Sequence, residues 1–355
     1  MATFAPPFTA GWAMCHHERL HASPNSIQHS DQTTRTMPSE FDLIHRHFSR
    51  PTQHTDLAGG DDAALMSPGE GMQLVVSTDM LVADAHFFAD TAPRALGWKT
   101  LAVNISDIAA MGAQPRWAVL SMALPDTDET WLAAFADGLY ECADAFGVDL
   151  VGGDTTRGPL NLCVTLFGEA PAGTAVTRAG ALPGDDIWVT GQPGRAALGL
   201  AHLNGEGSLS DAGARECLEA LHQPQPRVAA GLALRDIASA MLDVSDGVLG
   251  DLRHILERSE IGAEVALEAL PLNALYTMNA GEEQALQACL SGGDDYELLF
   301  TAPRVRRDQI MQLADSLNLP MHRIGRINDR TGKLHLLTAE GDLQTPAAFG
   351  YDHFG

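Results

Sequence analysis

Aspartate residues recur in this sequence where an apolar segment meets a turn, at positions that could bind a divalent metal ion. Six segments share this character: Gly59-Gly60-Asp61-Asp62, Ser77-Thr78-Asp79, Asp107, Gly152-Gly153-Asp154-Thr155, Asp243-Val244-Ser245-Asp246-Gly247 and Gly292-Gly293-Asp294-Asp295. Each segment alone is typical of an ordinary turn, because Asp and Gly both favour turn backbone. Six together, three of them with hydroxyl side chains, favour a pocket of hard oxygen ligands suited to Mg²⁺ or Ca²⁺.

The spacing of these acids excludes a metal site contained in one loop. An EF-hand places its ligands within about 12 residues, and no stretch of the sequence fits that pattern. Ligands spread over roughly 190 residues require a site that the fold assembles, where Mg²⁺ binds a few carboxylates together with substrate phosphates. The pattern therefore predicts several Mg²⁺ ions and a nucleotide polyphosphate.

The common nucleotide-binding loops are absent from the sequence. There is no G-x-x-x-x-G-K-[ST] motif around Lys99 or Lys333, the only two lysines, which excludes a P-loop enzyme. The run Gly191-Gln-Pro-Gly194 lacks the full G-x-G-x-x-G spacing of a dinucleotide-binding fold. The basic partner of a phosphate must then be an arginine, and Arg157 and Arg178 lie nearest to the acidic segments in the sequence.

Composition restricts the partners and the compartment. The 355 residues include 46 acids, 29 of them Asp, against 22 bases, and carry a formal net charge of −24. Such a field repels nucleic acid and anionic membranes, so we expect neither as a partner. The sequence has no apolar run long enough to span a membrane and no secretion signal, and its five cysteines form no CxxC pair. We therefore expect a cytoplasmic protein.

The elements that must position these acids fall into two predicted domains. Residues 1–36 lack apolar periodicity and are predicted to form a disordered extension. An N-terminal domain over 37–172 is predicted to be an α+β layer with a mixed sheet, and a C-terminal domain over 173–355 to be mixed α/β. The stretch from Pro171 to Pro183, rich in small residues and proline, marks the boundary.

Local patterns in the N-terminal domain make more specific predictions. A helix from Pro93 to about Met111 should carry Thr100, Asn104 and Asp107 on one face, which can then line a site. Four further features are predicted: a buried strand from Leu74 that ends at Asp79, a capping box formed by Asp126 and Glu129, strands at Val148–Val151 and Leu160–Phe167, and a turn between them at 152–156.

Longer segments of the chain resemble the thiamine-monophosphate kinase family. The resemblance is carried by Gly-Gly-Asp-Asp-Ala-Ala-Leu (59–65), Ser-Thr-Asp-Met-Leu-Val-Ala (77–83), His86-Phe87, Ala-Val-Asn-Ile-Ser-Asp-Ile-Ala-Ala-Met-Gly (102–112), Gly-Gly-Asp-Thr-Thr-Arg-Gly (152–158), Asp-Val-Ser-Asp-Gly (243–247), Ser-Gly-Gly-Asp-Asp-Tyr-Glu-Leu (291–298) and Gly-Tyr-Asp-His-Phe (350–354). These motifs occur in order from about residue 39 to 354, so only the first 36 residues lie outside the resemblance.

The resemblance implies an ATP-dependent kinase that converts thiamine monophosphate to thiamine diphosphate. It also implies a fold similar to aminoimidazole ribonucleotide synthetase, with a β-barrel that spans a homodimer beside a C-terminal α/β domain. Three sets of residues follow from the matching motif positions. The Mg²⁺ ligands would be Asp62, Ser77, Thr78, Asp79, Asp107, Asp154, Asp243 and Asp246; the ATP contacts Tyr140, Gly153, Asp154, Arg178 and Ser245; and the thiamine contacts His86, Asp294 and Tyr351.

The acceptor in such a reaction is itself a phosphate, which is already an adequate nucleophile near neutral pH. No general base is then required, and we expect direct in-line transfer without a phosphoenzyme. One departure from the family pattern concerns Asp294, because many relatives have Glu there and the shorter side chain reaches less far.

Three other kinds of protein could share these features. A selenophosphate synthetase or a hydrogenase-maturation homologue would need a reactive cysteine near the N-terminal glycine-rich segment or at the C-terminus, and neither is present. A noncatalytic ion- or nucleotide-binding module would be recognised by the loss of ligand positions, whereas all eight predicted metal positions carry a carboxylate or a hydroxyl.

Overall fold

The structure is a computed structural model, and it describes residues 40–346. Its helices are organised around two mixed β-sheets, one of four strands and one of seven. This agrees with the predicted two-domain α/β class. The predicted extension at 1–36 and the predicted site residue Tyr351 lie outside the described residues.

The four-stranded sheet carries two long helices on one face. Its strands are β1 (Met72–Val82), β2 (Gln114–Leu124), β3 (Asp149–Arg157) and β4 (Asn161–Pro171), in the order β1-β4-β2-β3. The helices are α1 (Glu40–Phe48), α2 (Pro93–Ala110) and α3 (Glu129–Phe146). Helix α2 packs against both the sheet and α3, and its apolar residues Leu101, Ile105 and Ile108 are almost fully buried there. Burying them removes apolar surface from water and fixes the direction of the helix's polar face.

The seven-stranded sheet has the order β11-β10-β7-β9-β5-β8-β6. Its strands are β5 (Asp186–Thr190), β6 (Ala240–Asp243), β7 (Gly262–Ala266), β8 (Leu298–Ala302), β9 (Met321–Asn328), β10 (Leu334–Leu337) and β11 (Leu343–Gln344). The helices are α4 (Arg195–Leu203), α5 (Asp211–His222), α6 (Val228–Leu234), α7 (Val248–Ser259), α8 (Leu272–Thr277), α9 (Glu282–Ser291) and α10 (Arg307–Leu317).

Strand β1 corrects the prediction that the strand ends at Asp79. It pairs with β4 along its whole length, from Met72 opposite Pro171 to Val82 opposite Asn161. Asp79 therefore lies within a strand, on the side that faces α2. The opposite side is exposed: Leu74, Val76 and Met80 keep 43%, 54% and 54% of their surface accessible. The α2 side is partly buried and the other side exposed, because side chains alternate with a period of two.

The predicted turn at 152–156 is also wrong, because these residues belong to β3. Strand β3 pairs in parallel with β2, and Asp154 lies opposite Ser121. The glycine at position 153 permits this close pairing: a Cβ there would lie 1.8 Å from the carbonyl oxygen of Leu120. A glycine-rich segment can therefore form part of a strand where the backbone of a neighbouring strand approaches closely.

The N-terminus of α3 is capped differently from the prediction. Asp128, rather than Asp126, is the N-cap, and its side chain accepts hydrogen bonds from the backbone N–H groups of Thr130 and Trp131 at 2.8 and 3.3 Å. Asp126 instead accepts a hydrogen bond from the backbone N–H of Asp128. Either of two acids that lie two residues apart can serve as the N-cap of a helix. The backbone conformation of the preceding turn decides which of them does so.

Candidate functional site

A cavity of about 680 Å³ lies between the α2 side of the four-stranded sheet and four segments of the second half of the chain, within 196–206, 221–222, 243–246 and 291–296. Among the sequence-predicted site residues, those that line it are Asp79, His86, Asp107, Asp243, Ser245, Asp246 and Asp294. Its apolar wall comes from the 85–88 loop and from α4, and includes Phe87, Phe88, Ala196, Ala197 and Leu200. The cavity therefore combines an acidic part with a surface that suits an organic ring.

The acidic part begins where α2 contacts β1. The backbone N–H of Asp79 donates a 3.0 Å hydrogen bond to Oδ1 of Asn104, and the Ser77 hydroxyl donates to Asp107. Asn104 is fully buried, so this bond fixes strand and helix relative to each other. Thr100 does not take part, because its hydroxyl donates to the Leu96 carbonyl of its own helix. The predicted polar face of α2 thus holds β1 in register beside the cavity.

Burial and mutual repulsion raise the pKa values of these carboxylates. Burial, and then the charge of Asp107, raises the pKa of Asp79 to about 6. Burial also raises the pKa of Asp107, while Ser77 and Arg178 act in the opposite direction. For Asp243, burial and the nearby Asp107 raise the pKa well above its usual range. Three buried carboxylates that repel one another favour the binding of a cation that compensates their charge.

The donor set fits Mg²⁺ better than a metal held by protein alone. Within residues 40–346, no three His, Cys, Asp or Glu side chains come close enough to form a complete metal cage. Mg²⁺ does not need one, since it binds through one or two carboxylates and takes its remaining ligands from water and substrate phosphates. The hard oxygen atoms of Asp79, Asp107, Asp243 and Asp246 meet that requirement.

The loop at 243–247 is held by a residue that the sequence analysis missed. Oδ2 of Asp251, in the first turn of α7, accepts hydrogen bonds from the backbone N–H groups of Ser245 and Asp246, both at 3.0 Å. Burial raises the pKa of Asp251 to about 7, against the opposing effect of these two bonds. An acid in the first turn of a predicted helix is the sequence signal that indicates such a role.

The two glycine-rich motifs of the second half pack backbone against backbone. The N–H of Asp294 donates to the Ser245 carbonyl and the N–H of Tyr296 to the Val244 carbonyl, each at 2.8 Å. Gly247 has a φ of 105°, and a Cβ there would lie 2.7 Å from the carbonyl oxygen of Gly292. The glycines therefore bring two loops together at the cavity, as close backbone contact requires.

The acids of the 294–297 run have separate roles. Asp294 points into the cavity and accepts hydrogen bonds from Nζ of Lys99 at 2.6 Å and from the Tyr296 hydroxyl at 2.9 Å. Asp295 instead accepts from the backbone N–H groups at the start of α4, Gly194 and Ala196. Of this run, then, Asp294 is the acid available to a ligand. Lys99 and Tyr296 also line the cavity, and neither is among the predicted site residues.

His86 has a defined tautomer in the cavity wall. Its Nδ1 accepts a 3.1 Å hydrogen bond from the backbone N–H of Val82, so the neutral ring carries its proton on Nε2. This bond holds the loop that follows β1, which contributes residues 85–88 to the cavity wall, against the end of that strand.

Seven of the predicted site residues that the structure describes do not line the cavity. Ser77 is one of them, and its hydroxyl donates to Asp107. Thr78 points to the opposite face of β1, where its hydroxyl donates to the Val164 carbonyl at 3.0 Å. Tyr140 is buried on α3 with the Arg50 guanidinium 3.8 Å above its ring, and burial raises its pKa to about 12. The other four are exposed: Asp62, Gly153, Asp154 and Arg178. Arg178 is nevertheless close enough to lower the pKa of Asp107 electrostatically.

No helix among the residues the structure describes is long and apolar enough to cross a membrane. The described cysteines, Cys142, Cys163, Cys217 and Cys289, are free thiols.

Comparison with known proteins gives consistent matches across the chain. Residues 60–170 match the family described as AIR synthase related protein, N-terminal domain, and residues 183–336 match its C-terminal domain. The chain is 43% identical to the thiamine-monophosphate kinase of Escherichia coli K12 over 319 residues, which cover 89% of this chain and 98% of that protein.

Two solved structures extend the comparison to three dimensions. The crystal structure of thiamine-monophosphate kinase from Stenotrophomonas maltophilia K279a superposes with a TM-score of 0.75 at 44% identity, covering 85% of this chain and 95% of that one. A structure described as AaThiL complexed with AMPPCP and TMP superposes with a TM-score of 0.71 at 28% identity, covering 90% of this chain and all of the other.

Proposed function

Because this chain belongs to the thiamine-monophosphate kinase family, we propose that it transfers the γ-phosphoryl group of ATP to thiamine monophosphate and releases thiamine diphosphate. The observation that carries this proposal is the convergence of Asp79, Asp107, Asp243 and Asp246 on one cavity that also has an apolar wall. The relative bound to AMPPCP, an ATP analogue, and TMP supports the same pair of ligands for this cavity.

In this mechanism the protein contributes position and charge rather than covalent chemistry. Helix α2 holds β1 through Asn104, and Asp251 holds the loop that carries Ser245 and Asp246, so the carboxylates face the reacting phosphates from two sides. The acceptor phosphate is the nucleophile, and no side chain needs to remove a proton from it. Holding donor and acceptor in line is then the main contribution of these residues to the rate.

The acids lining the cavity would hold Mg²⁺ ions together with ATP. The residues proposed for this are Asp79, Asp107, Asp243 and Asp246, while Asp62, Ser77, Thr78 and Asp154 stay predictions from the family motifs. When bound, Mg²⁺ neutralises the charge on the phosphates. Of the contacts expected for ATP, Ser245 lines the cavity, while those of Tyr140, Gly153, Asp154 and Arg178 stay predictions from the family motifs. Of those expected for thiamine monophosphate, His86 and Asp294 line the cavity and Tyr351 stays a prediction.

Incubation with thiamine monophosphate, Mg²⁺ and ATP labelled at its γ-phosphate should yield ADP and labelled thiamine diphosphate in equal amounts. Chelation of the metal should abolish both products, because the carboxylates would then repel the polyphosphate. Chromatographic separation of the labelled products measures the transfer. The protein itself should carry no label during turnover.

The outcomes of this assay separate the alternatives. ADP formation that does not depend on thiamine monophosphate would show that the acceptor is wrong. Binding of ATP without any turnover would favour a noncatalytic nucleotide-binding module. Stable label on the protein would contradict direct transfer.

The exposed face of β1 supports the proposed homodimer. Met72, Leu74, Val76 and Met80 expose 42% to 54% of their surface on one side of an edge strand. Apolar side chains arranged this way favour a protein contact. We propose a second copy of this chain as the partner, forming the barrel that the family resemblance implies. The cytoplasmic location and the domain boundaries at 172 and 173 stay predictions.

The double variant Val76→Glu/Met80→Glu should be monomeric, because it places charges within this apolar face. Light scattering coupled to gel filtration measures the mass of both proteins. Val305→Glu is a matched control, since Val305 is 88% exposed and lies outside this strand. A monomeric wild-type protein, or a double variant that remains dimeric, would contradict the proposed interface.

A further inference from the structure

Lys99 is a buried cation in the wall of the cavity. It is one of only two lysines in the chain, and it retains 3% of its accessible surface on α2. Its Nζ donates hydrogen bonds to Oδ2 of Asp294 at 2.6 Å and to the carbonyl oxygen of Leu221 at 3.0 Å. A lysine is rarely buried to this extent unless its charge is paired, so the bond to Asp294 accounts for its position.

Both carboxylate oxygens of Asp294 have a protein donor. Lys99 occupies Oδ2, and the Tyr296 hydroxyl donates to Oδ1 at 2.9 Å. A carboxylate can accept about four hydrogen bonds, so each oxygen still has a lone pair available. The Asp294 side chain is 30% exposed, and the residue lines the cavity. Its orientation is therefore fixed from the protein side while it stays accessible to a ligand.

The backbone supports the same interpretation. Asp294 and Tyr296 have positive φ angles of 68° and 53°, which residues with side chains seldom adopt. The backbone N–H groups of Asp294 and Tyr296 donate hydrogen bonds to the 244–245 segment, and these bonds stabilise this conformation. Strained backbone of this kind clusters where a side chain must be held in one direction at a site.

The pairing with Lys99 also selects the kind of group that Asp294 can bind. An ionised carboxylate only accepts hydrogen bonds, and the Lys99 charge already neutralises it. A thiazolium cation is therefore attracted less strongly to this ion pair than to an unpaired carboxylate. An uncharged N–H donor can still form a hydrogen bond with it. In thiamine monophosphate the exocyclic amine of the pyrimidine is the uncharged N–H donor.

We propose that Lys99 is a positioning residue which, together with Tyr296, holds the Asp294 carboxylate so that it accepts a hydrogen bond from the aminopyrimidine of thiamine monophosphate. This inference rests on the proposed kinase function. Lys99 acts through Asp294 and links α2 to the 291–297 segment across the cavity.

A double-mutant cycle tests this role. Lys99→Met should raise the KM for thiamine monophosphate about tenfold or more, as expected for loss of a hydrogen bond to a charged group. The KM for ATP should change less than about twofold, as for a site without a shared partner. In an Asp294→Asn background, Lys99→Met should raise the KM for thiamine monophosphate less than about twofold further, because the partner is already lost. Calorimetric titration with thiamine monophosphate should show the same pattern in Kd.

Two further variants keep the test decisive. Tyr296→Phe removes only the second donor to Asp294 and should raise the same KM about threefold, which provides a measurement if Lys99→Met fails to fold. Trp98→Phe is the matched control, because Trp98 neighbours Lys99 on α2 and donates to the Pro224 carbonyl at 2.8 Å without touching Asp294. Its KM values should match those of the wild type.

The outcomes also distinguish the inference from the function on which it rests. Equal effects of Lys99→Met in both backgrounds, or an unchanged KM in both Lys99→Met and Tyr296→Phe, would overturn the role of Lys99. A wild-type protein that forms no thiamine diphosphate would overturn the proposed function instead.

Discussion

Asp79→Asn is expected to lower kcat about a thousandfold while the protein keeps its fold. Asp79 faces α2 from within β1, beside Asp107 and near Asp243, and its pKa is raised to about 6 by burial and by Asp107. Asparagine has nearly the same shape but carries no charge, so the proposed Mg²⁺ ions lose a ligand. Steady-state assays at saturating ATP and thiamine monophosphate measure the loss.

The fold should survive this substitution because the contact that fixes β1 is made by the backbone. The N–H of residue 79 donates to Asn104 regardless of its side chain. Removing one of several mutually repelling acids also relieves an unfavourable interaction. Asp137→Asn is a suitable control, since this exposed residue pairs with Arg94 at 3.8 Å on the surface. Near wild-type kcat in Asp79→Asn would show that the metal assignment is wrong.

Glu297→Ala is expected to lower the free energy of unfolding by about 3–5 kcal/mol, as for one partner of a buried ion pair. Glu297 is 1% exposed. Its carboxylate accepts two hydrogen bonds from Arg227, both at 2.7 Å, and one each from Thr190 and the backbone of Gln192. The substitution leaves Arg227 without its partner and two further donors unsatisfied. Equilibrium unfolding in guanidinium chloride measures the change.

The exposed pair between Arg253 and Glu257 provides the matched control. These side chains are more than half exposed and lie one turn apart on α7. Glu257→Ala should change the free energy of unfolding by less than about 1 kcal/mol, because solvent already screens the charges. Equal effects of Glu297→Ala and Glu257→Ala would show that the network around Glu297 contributes little to stability.

Several features of the site follow from local patterns in the sequence. The helix over 93–110 has a proline at its first position and an apolar stripe, so its boundaries and its polar face could be predicted. Asn104 and Asp107 do lie on the side that contacts β1. The short apolar run Ile187-Trp-Val189 likewise indicates a strand, and β5 is buried on both faces.

Patterns that depend on a neighbouring strand could not be interpreted in this way. The run 152–156 contains two glycines and an Asp, which is typical of a turn, yet it forms part of β3 because β2 lies against it. Similarly, the acid at Asp79 suggested the end of a strand that continues to Val82. Thr78 and Asp79 are adjacent in sequence but lie on opposite faces of the sheet, as the period of two requires.

The sequence by itself determined that this chain carries the acidic motifs of a phosphoryl-transfer family, in the order in which they occur in that family, and that α2 has a polar face. The tertiary structure alone decided what each acid does. Asp294 faces the cavity beside Lys99, Asp295 caps α4 and Glu297 binds Arg227. These partners are 70 to 195 residues apart in the chain. Residue type and spacing restrict local backbone, whereas the environment of a carboxylate depends on contacts that form only when the chain folds.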